Sequence, residues 1–351
     1  MNKKNILLFF PLFCLFVMFS CRRDIVIKDT PENVFTSFWK ILDENYVYFE
    51  EKGIDWDSVY SVYYQIAKEA KTDAELIPIF KEIIPAFKDR HVSIQAFDYP
   101  YMVPIIYDSA TVKSTVGWNY DMEEKYGLLP RYFRFSEPFT CWQHKEKRYA
   151  MIEISSFAEW DFMINQTTPQ DIFVFLDSLH YENGLIIDVR LNSGGLGGIM
   201  YSIASPFFRG RHLAYYDVFK TGTGHNGFSE KFPQYFDGRG IVPASVPVIL
   251  LIGNETFSAG NFFAYVMNDL PNCTAIGEKT GGGGGAINYV RLPNNWLLSY
   301  PWYKSYSTKG ENMEFGLEPD VRVKVCYDFE DGAKDSVILK ALEVLDNINR
   351  R

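Results

Sequence analysis

Acyl transfer needs a nucleophile, a base to take its proton, a group that orients the base, and donors for an oxyanion. This chain offers a candidate for each. Ser258 stands in Thr256-Phe257-Ser258-Ala259-Gly260-Asn261, after the apolar run 246–252 and before an apolar helical stretch. That order puts its hydroxyl at a helix mouth, among unpaired backbone N–H groups at the positive end of the dipole. Serine is also a common N-cap, and these residues alone fit both roles. His91 follows a helical segment and enters the alternating Val92-Ser93-Ile94, whereas His144, His180, His212 and His225 lie in polar contexts. It reads as a base or as a capping or surface histidine. Backbone N–H groups of Gly194, Gly195 and Ala259 are candidate oxyanion donors. Glu314, in Met313-Glu314-Phe315-Gly316-Leu317-Glu318-Pro319-Asp320, reads as the orienting acid or as a solvated surface residue, and Lys279 is a fallback base.

The elements that must position these residues follow from the hydrophobic pattern. From Tyr149 onward strands alternate with helices, which implies a mainly parallel sheet covered on both faces. Gly194 and Gly195 fall just past the carboxyl end of the apolar strand 185–190, where such sheets place their sites. Upstream, Thr30-Pro31 signals a helix start, with an apolar face of Phe35, Phe38, Trp39, Leu42 and Tyr46. A turn at Lys52-Gly53 leads to a second helix near 56–67. Thr72 and Glu75 form a capping-box pattern ahead of a third, 76–87. No catalytic cluster is expected within this helical unit. Residues 92–148 read as strand- and loop-rich, 206–244 as a loop-rich insertion, 287–325 as hairpin-like, and 335–348 as a closing helix. The glycine run 281–285 lacks the Gly-x-x-x-x-Gly-Lys-Ser/Thr pattern of a phosphate loop. It is expected to let a bound peptide approach closely as an added strand.

Composition sets the outer bounds. With 351 residues and 47% hydrophobic content the chain has ample material for a core, and its formal charge of −9 argues against nonspecific binding to nucleic acid. Lys3 and Lys4 precede an apolar run, 6–19, and then Ser20-Cys21, the pattern of a secretory signal, 1–20, with lipidation expected at Cys21. Residues 21–30 read as a tether. Cys141, Cys273 and Cys326 show no paired spacing, so neither a zinc site nor a disulfide framework is visible, and one bridge among them stays open.

Five ordered motifs carry a family resemblance. They are Asp89-Arg90-His91, the stretch 185–195 ending in Asn192-Ser193-Gly194-Gly195, Thr256-Phe257-Ser258-Ala259-Gly260-Asn261, Gly277-Glu278-Lys279-Thr280-Gly281-Gly282, and Glu314-Phe315-Gly316-Leu317-Glu318-Pro319-Asp320. Together the chain resembles the C-terminal processing (tail-specific) serine peptidases, a family that includes the tricorn protease core and the interphotoreceptor retinoid-binding protein. The processing branch pairs its serine with a lysine after the Gly-Glu-x-Thr turn, and here every residue from 281 to 285 is glycine. The resemblance therefore points to the tricorn-like branch, with Ser258 as nucleophile, His91 as base and Glu314 as the orienting acid. Arg90 departs from that branch's serine, and Asn261 from the family's usual glutamate.

The resemblance implies an α/β, crotonase-like (ClpP/crotonase) peptidase core at 149–345 with a C-terminal β-hairpin region. A helical domain at 31–91 and a connecting region at 92–148 would precede it, the latter short for a PDZ domain. It further implies a serine endopeptidase of the bacterial cell envelope, lipid-anchored through Cys21, acting on peptides or unfolded proteins without metal or cofactor. The rival is a catalytically inactive peptide- or ligand-binding lipoprotein on the same fold.

Overall fold

Two strands, β5 (Gly184–Asp188) and β8 (Val248–Ile252), are buried at every position. They lie side by side in the centre of the sheet in the computed structural model, which describes residues 28–96, 122–132, 138–325 and 334–350. Strands buried on both faces are written as unbroken apolar runs rather than alternating ones, which is how Leu185-Ile186-Ile187 and Val248-Ile249-Leu250-Leu251-Ile252 read. Their alternate side chains serve two cores. Leu185, Ile187, Val248, Leu250 and Ile252 face one; Ile186, Ile249 and Leu251 face the other.

The sheet has seven strands in the order β13-β9-β8-β5-β4-β3-β2. Its outer members are β2 (Leu128–Tyr132), β3 (Phe139–His144), β4 (Tyr149–Ile154), β9 (Cys273–Gly277) and β13 (Val321–Arg322). Pairing is parallel from β13 to β4 and antiparallel only at β4-β3-β2. One face is covered by α6 (Glu159–Asn165), α7 (Asp171–Ser178), α8 (Gly197–Ala204) and α9 (Ala259–Met267). The other is covered by α10 (Ser336–Asn349), through Val337, Ile338, Ala341 and Leu345, and by α5 (Met122–Tyr126). This is the mixed α/β architecture with a mainly parallel sheet that the alternation implies.

The N-terminal helices are α1 (Pro31–Asn45), α2 (Phe49–Lys52), α3 (Trp56–Glu69) and α4 (Leu76–Ala86). Thr30 caps α1 as its sequence suggests, accepting from the Asn33 N–H at 3.4 Å. Thr72 does not cap α4. It precedes a short 3-10 turn, Asp73–Glu75, and bonds the Glu75 carboxylate instead, at 2.9 Å. The core of these helices is not theirs alone: Phe38 and Phe80 share it with Leu292, Trp296, Leu298 and Tyr300. Those residues belong to or flank a hairpin of β10 (Ile287–Arg291) and β11 (Leu297–Pro301), and β1 (Ser93–Gln95) pairs antiparallel with β11.

The segment 206–244, expected to be loop-rich, contains two long strands, β6 (Arg209–Phe219) and β7 (Phe232–Arg239), paired with each other, with β6 also paired to β12 (Tyr303–Ser307). A bulge between Leu213 and Tyr215 breaks the two-residue period, and Pro233 and Gly238 sit inside β7. Those features hide a strand from pattern reading.

Candidate active site

Ser258 stands where β8, after a short turn, gives way to α9. It holds the N-cap position, yet its side chain makes no cap hydrogen bond, so the hydroxyl is not spent on the role serine most often plays there. Its backbone has φ 53° and ψ −124°, a left-handed conformation that costs a non-glycine residue roughly 1–3 kcal/mol. Such strain at a strand-to-helix turn exposes a side chain at the end of a sheet. Gly194 lies against it: a methyl group there would fall 2.8 Å from Ser258 Cβ.

Of the expected oxyanion donors, Gly194 has to be withdrawn. Its N–H donates to Asn192 Oδ1 at 2.9 Å, and a bonded donor has nothing to offer an oxyanion. Gly195, in a bridge with Phe157, and Ala259, the first residue of α9, keep the candidacy.

His91 is 2% exposed, and neither ring nitrogen has a hydrogen-bond partner among the described residues. Its backbone is well held, since its N–H donates to Asp89 Oδ1 at 2.9 Å and its carbonyl accepts from Ser299 Oγ at 2.8 Å. The ring packs on Phe257, the neighbour of Ser258, with centroids 4.7 Å apart. Burial pushes its pKa down to about 4, with Lys52 and Arg90 adding to the depression and Asp89 opposing it. The imidazole is therefore neutral at neutral pH, the form a base requires. It is not hydrogen-bonded to Ser258.

Glu314 is buried next to it. Ligand-type atoms of Asp89, His91 and Glu314 all lie within 4.8 Å of one another. The carboxylate is occupied elsewhere: Oε1 accepts from Lys52 Nζ at 2.6 Å and Oε2 from the Gly284 N–H at 2.8 Å. Burial and Asp89 raise its pKa to about 8, against the lowering effects of Lys52 and Gly284. Asp89 Oδ2 accepts from Tyr46 at 2.9 Å and lies 3.7 Å from Lys52 Nζ. A cleft of about 400 Å³ opens on this cluster, lined by Lys52, Lys88, Arg90, Phe257 and Glu314 among others.

Lys52 is the residue that sequence reasoning missed. It is the last residue of α2, followed by Gly53 in the left-handed conformation, and it reads as an ordinary helix end. Only the tertiary fold brings it to Glu314, so the helical unit does contribute to the buried cluster. Lys279 lies elsewhere, paired at the surface with Glu318 at 3.2 Å.

The glycine run is not open to a peptide. The chain's own backbone fills the space where side chains would be: a methyl at Gly282 would lie 2.0 Å from the Glu314 carbonyl, and one at Gly284 2.3 Å from the Glu314 nitrogen. The run is the frame of the site. The Gly282 carbonyl accepts from the Ser258 N–H at 2.9 Å, and a methyl at Gly283 would fall 3.1 Å from His91 Cε1. The two departures from the tricorn-like pattern also have physical roles. Arg90 lies over the Phe257 ring, 4.3 Å from its centroid, and pairs with Glu255 at 3.0 Å. Asn261, fully buried, donates to the Met313 carbonyl at 2.9 Å and accepts from Thr280 Oγ1 at 2.6 Å, tying α9 to the segment that carries Glu314.

The sequence profile of peptidase family S41 matches residues 148–323, and that of the tricorn protease C1 domain matches 28–84. A tricorn protease from Thermoplasma volcanium is 29% identical over 170 residues, covering 47% of this chain and 15% of that protein. A carboxy-terminal-processing protease from Bartonella bacilliformis is 25% identical over 143 residues, covering 40% of this chain and 31% of that protein. The chain thus aligns with less than half the length of each. A protein from Parabacteroides merdae, solved as a candidate peptidase, superposes with a TM-score of 0.75 at 27% identity, covering 91% of this chain and 97% of that one.

Proposed function

Because the chain belongs to peptidase family S41, we propose that it is a serine endopeptidase working through Ser258, His91 and Glu314. The observation that carries this reading is Ser258 itself: a strained serine at the mouth of α9 with its hydroxyl uncommitted, preceded by Phe257, on which the ring of buried His91 packs with neither nitrogen bonded among the described residues. His91 takes the proton of Ser258 Oγ as that oxygen attacks a peptide carbonyl. The N–H groups of Gly195 and Ala259 receive the developing oxyanion. His91 then returns the proton to the leaving amine, and water hydrolyses the acyl-enzyme by the same route. Glu314 favours the imidazolium that forms at each step. Hydrogen bonds of this kind are often long before substrate binds.

The substrates are peptides or unfolded proteins. The setting is the bacterial cell envelope, with the chain anchored by lipid on Cys21. That residue lies outside the described residues, among which no helix is long and apolar enough to cross a membrane. Cys141 and Cys273 are unpaired thiols, and Cys326 also lies outside the described residues.

A fluorophosphonate reagent is expected to label Ser258, and Ser258→Ala and His91→Ala to abolish labelling. The pairing of Glu314 with Lys52 rather than His91 favours one other reading, an inactive binding protein on the same fold. A folded chain that neither labels nor cleaves any member of a peptide library establishes that reading instead.

A further inference from the structure

The ion pair between Lys52 and Glu314 is the part of the buried cluster for which the proposed reaction has no use. The two side chains are 6% and 4% exposed and their charged atoms 2.6 Å apart. Lys52 also donates to the Lys88 carbonyl at 2.9 Å and lies 3.7 Å from Asp89. We propose that Lys52 is a positioning residue, which holds Glu314 in place and favours its ionised form so that His91 can carry positive charge during proton transfer. This rests on the reading of Ser258, His91 and Glu314 as the catalytic group.

The charges of this buried cluster have to balance. Asp89 and Glu314 bring two carboxylates to His91, and Lys52 neutralises one of them. With Glu314 ionised, a single net negative charge faces the imidazole, and protonating His91 brings the cluster to neutrality. Without Lys52 two carboxylates confront each other in a low-dielectric setting, where they cannot both stay ionised. Burial and Asp89 push Glu314 up to about 8 even against the lowering effect of Lys52, so without the ammonium it keeps its proton to still higher pH. A neutral Glu314 no longer favours the imidazolium.

Among the described residues, the other cations near the cluster are exposed or already paired: Lys88 is exposed on the cleft wall. Arg90 is paired with Glu255 and Lys304 with Glu51, and Tyr46 and Tyr48 approach as phenols whose pKa values burial raises. The position of Lys52 is itself fixed. Tyr48, four residues earlier, donates its hydroxyl to the Gly284 carbonyl, and the Gly284 N–H holds the other oxygen of Glu314. So Lys52 reaches Glu314 directly, and Tyr48, at the N-cap of α2, reaches it through Gly284.

The test is the rate of fluorophosphonate labelling of Ser258 in the full chain, followed across about pH 5 to 9, with melting curves to check folding. Lys52→Met is expected to slow labelling roughly tenfold at pH 7 and to move the acid limb of the profile upward by about a unit. Both affected groups push the same way, because losing the ammonium raises the pKa of Glu314 and of His91. Lys52→Arg keeps the charge and is expected to leave the limb in place. Added to Glu314→Gln, Lys52→Met is expected to cost less than about a further threefold, since it acts through Glu314.

An unshifted limb in folded Lys52→Met overturns the proposal, as does a double variant in which the two losses multiply. Should Lys52→Met fail to fold, the double variant, which removes both buried charges, is compared with Glu314→Gln and decides by the same threefold criterion. A folded wild-type chain that never labels at Ser258 overturns the catalytic reading itself, before any variant is compared.

Discussion

Ser258 donates its backbone N–H to the carbonyl of Gly282 at 2.9 Å, and from Gly282 onward the chain passes within contact distance of both Glu314 and His91. Three residues far apart in sequence are therefore spaced by one short stretch without side chains. Any side chain there has to displace backbone.

Gly282→Ala tests that claim. The added methyl meets the Glu314 carbonyl at 2.0 Å, and the backbone φ of +77° is unfavourable for alanine. A loss of about 2–4 kcal/mol is expected in denaturant melts, together with loss of reagent labelling. Gly310 is the control. It has φ +87° but open space around it, so Gly310→Ala is expected to cost only about 1–2 kcal/mol and to leave labelling unchanged.

Ser258 separates strain from chemistry. Ser258→Ala keeps the strained backbone and loses no cap hydrogen bond, so its stability is expected within about 0.5 kcal/mol of wild type while labelling vanishes. Ser258→Gly relieves the positive φ and is expected to be more stable by about 1 kcal/mol, equally without labelling. Equal stability of the two variants contradicts the strain.

His91 and Glu314 give stability a pH dependence of opposite signs. The His91 pKa falls from 6.5 to about 4 on folding, so the unfolded chain binds more protons between those values. The stability tied to neutral His91 is complete above pH 6.5 and is lost as pH falls toward 4. The Glu314 pKa rises from 4.5 to about 8, so its contribution is complete at low pH and is lost as pH rises toward 8. Melts between about pH 6.5 and 8.5 are expected to show falling stability in the wild type and a flatter profile in Glu314→Gln. An unchanged slope in that variant places the effect on another group.

Asn261 is expected to matter through Glu314 rather than through substrate. Asn261→Ala leaves the Met313 carbonyl and the Thr280 hydroxyl without their buried partner, at a cost of about 2 kcal/mol. The turn carrying Glu314 loosens, so kcat is expected to fall while KM stays near its wild-type value. A change confined to KM contradicts this.

Much of this arrangement was legible from residue order. The unbroken apolar runs of β5 and β8 announced central parallel strands, and the serine after β8 sits where an α/β sheet places a site. Three of the shortfalls have a common cause. Lys52 is an unremarked helix end until the packing of Trp296 and Leu298 against Phe38 and Phe80 brings α2 over the glycine run. The run itself gave no clue whether the neighbour filling its missing side chains is a ligand or the chain's own backbone. Gly194 looked like a donor because composition does not reveal that Asn192, two residues earlier, folds back to take its N–H. β6 and β7 were hidden by a bulge and by interior proline and glycine. For Lys52, the glycine run and Gly194 the deciding partner is close in space and unmarked in sequence.

The β1–β11 pairing carries a last consequence. The strand that follows His91 adds to the hairpin whose Trp296 and Leu298 pack into the core of the N-terminal helices, whereas Ser258 stands over the core of the large sheet. His91 and Ser258 thus belong to different hydrophobic cores and meet only once these have docked. On the proposed reading, the chain stays inert during its own synthesis and folding, and proteolytic power appears as the final act of assembly.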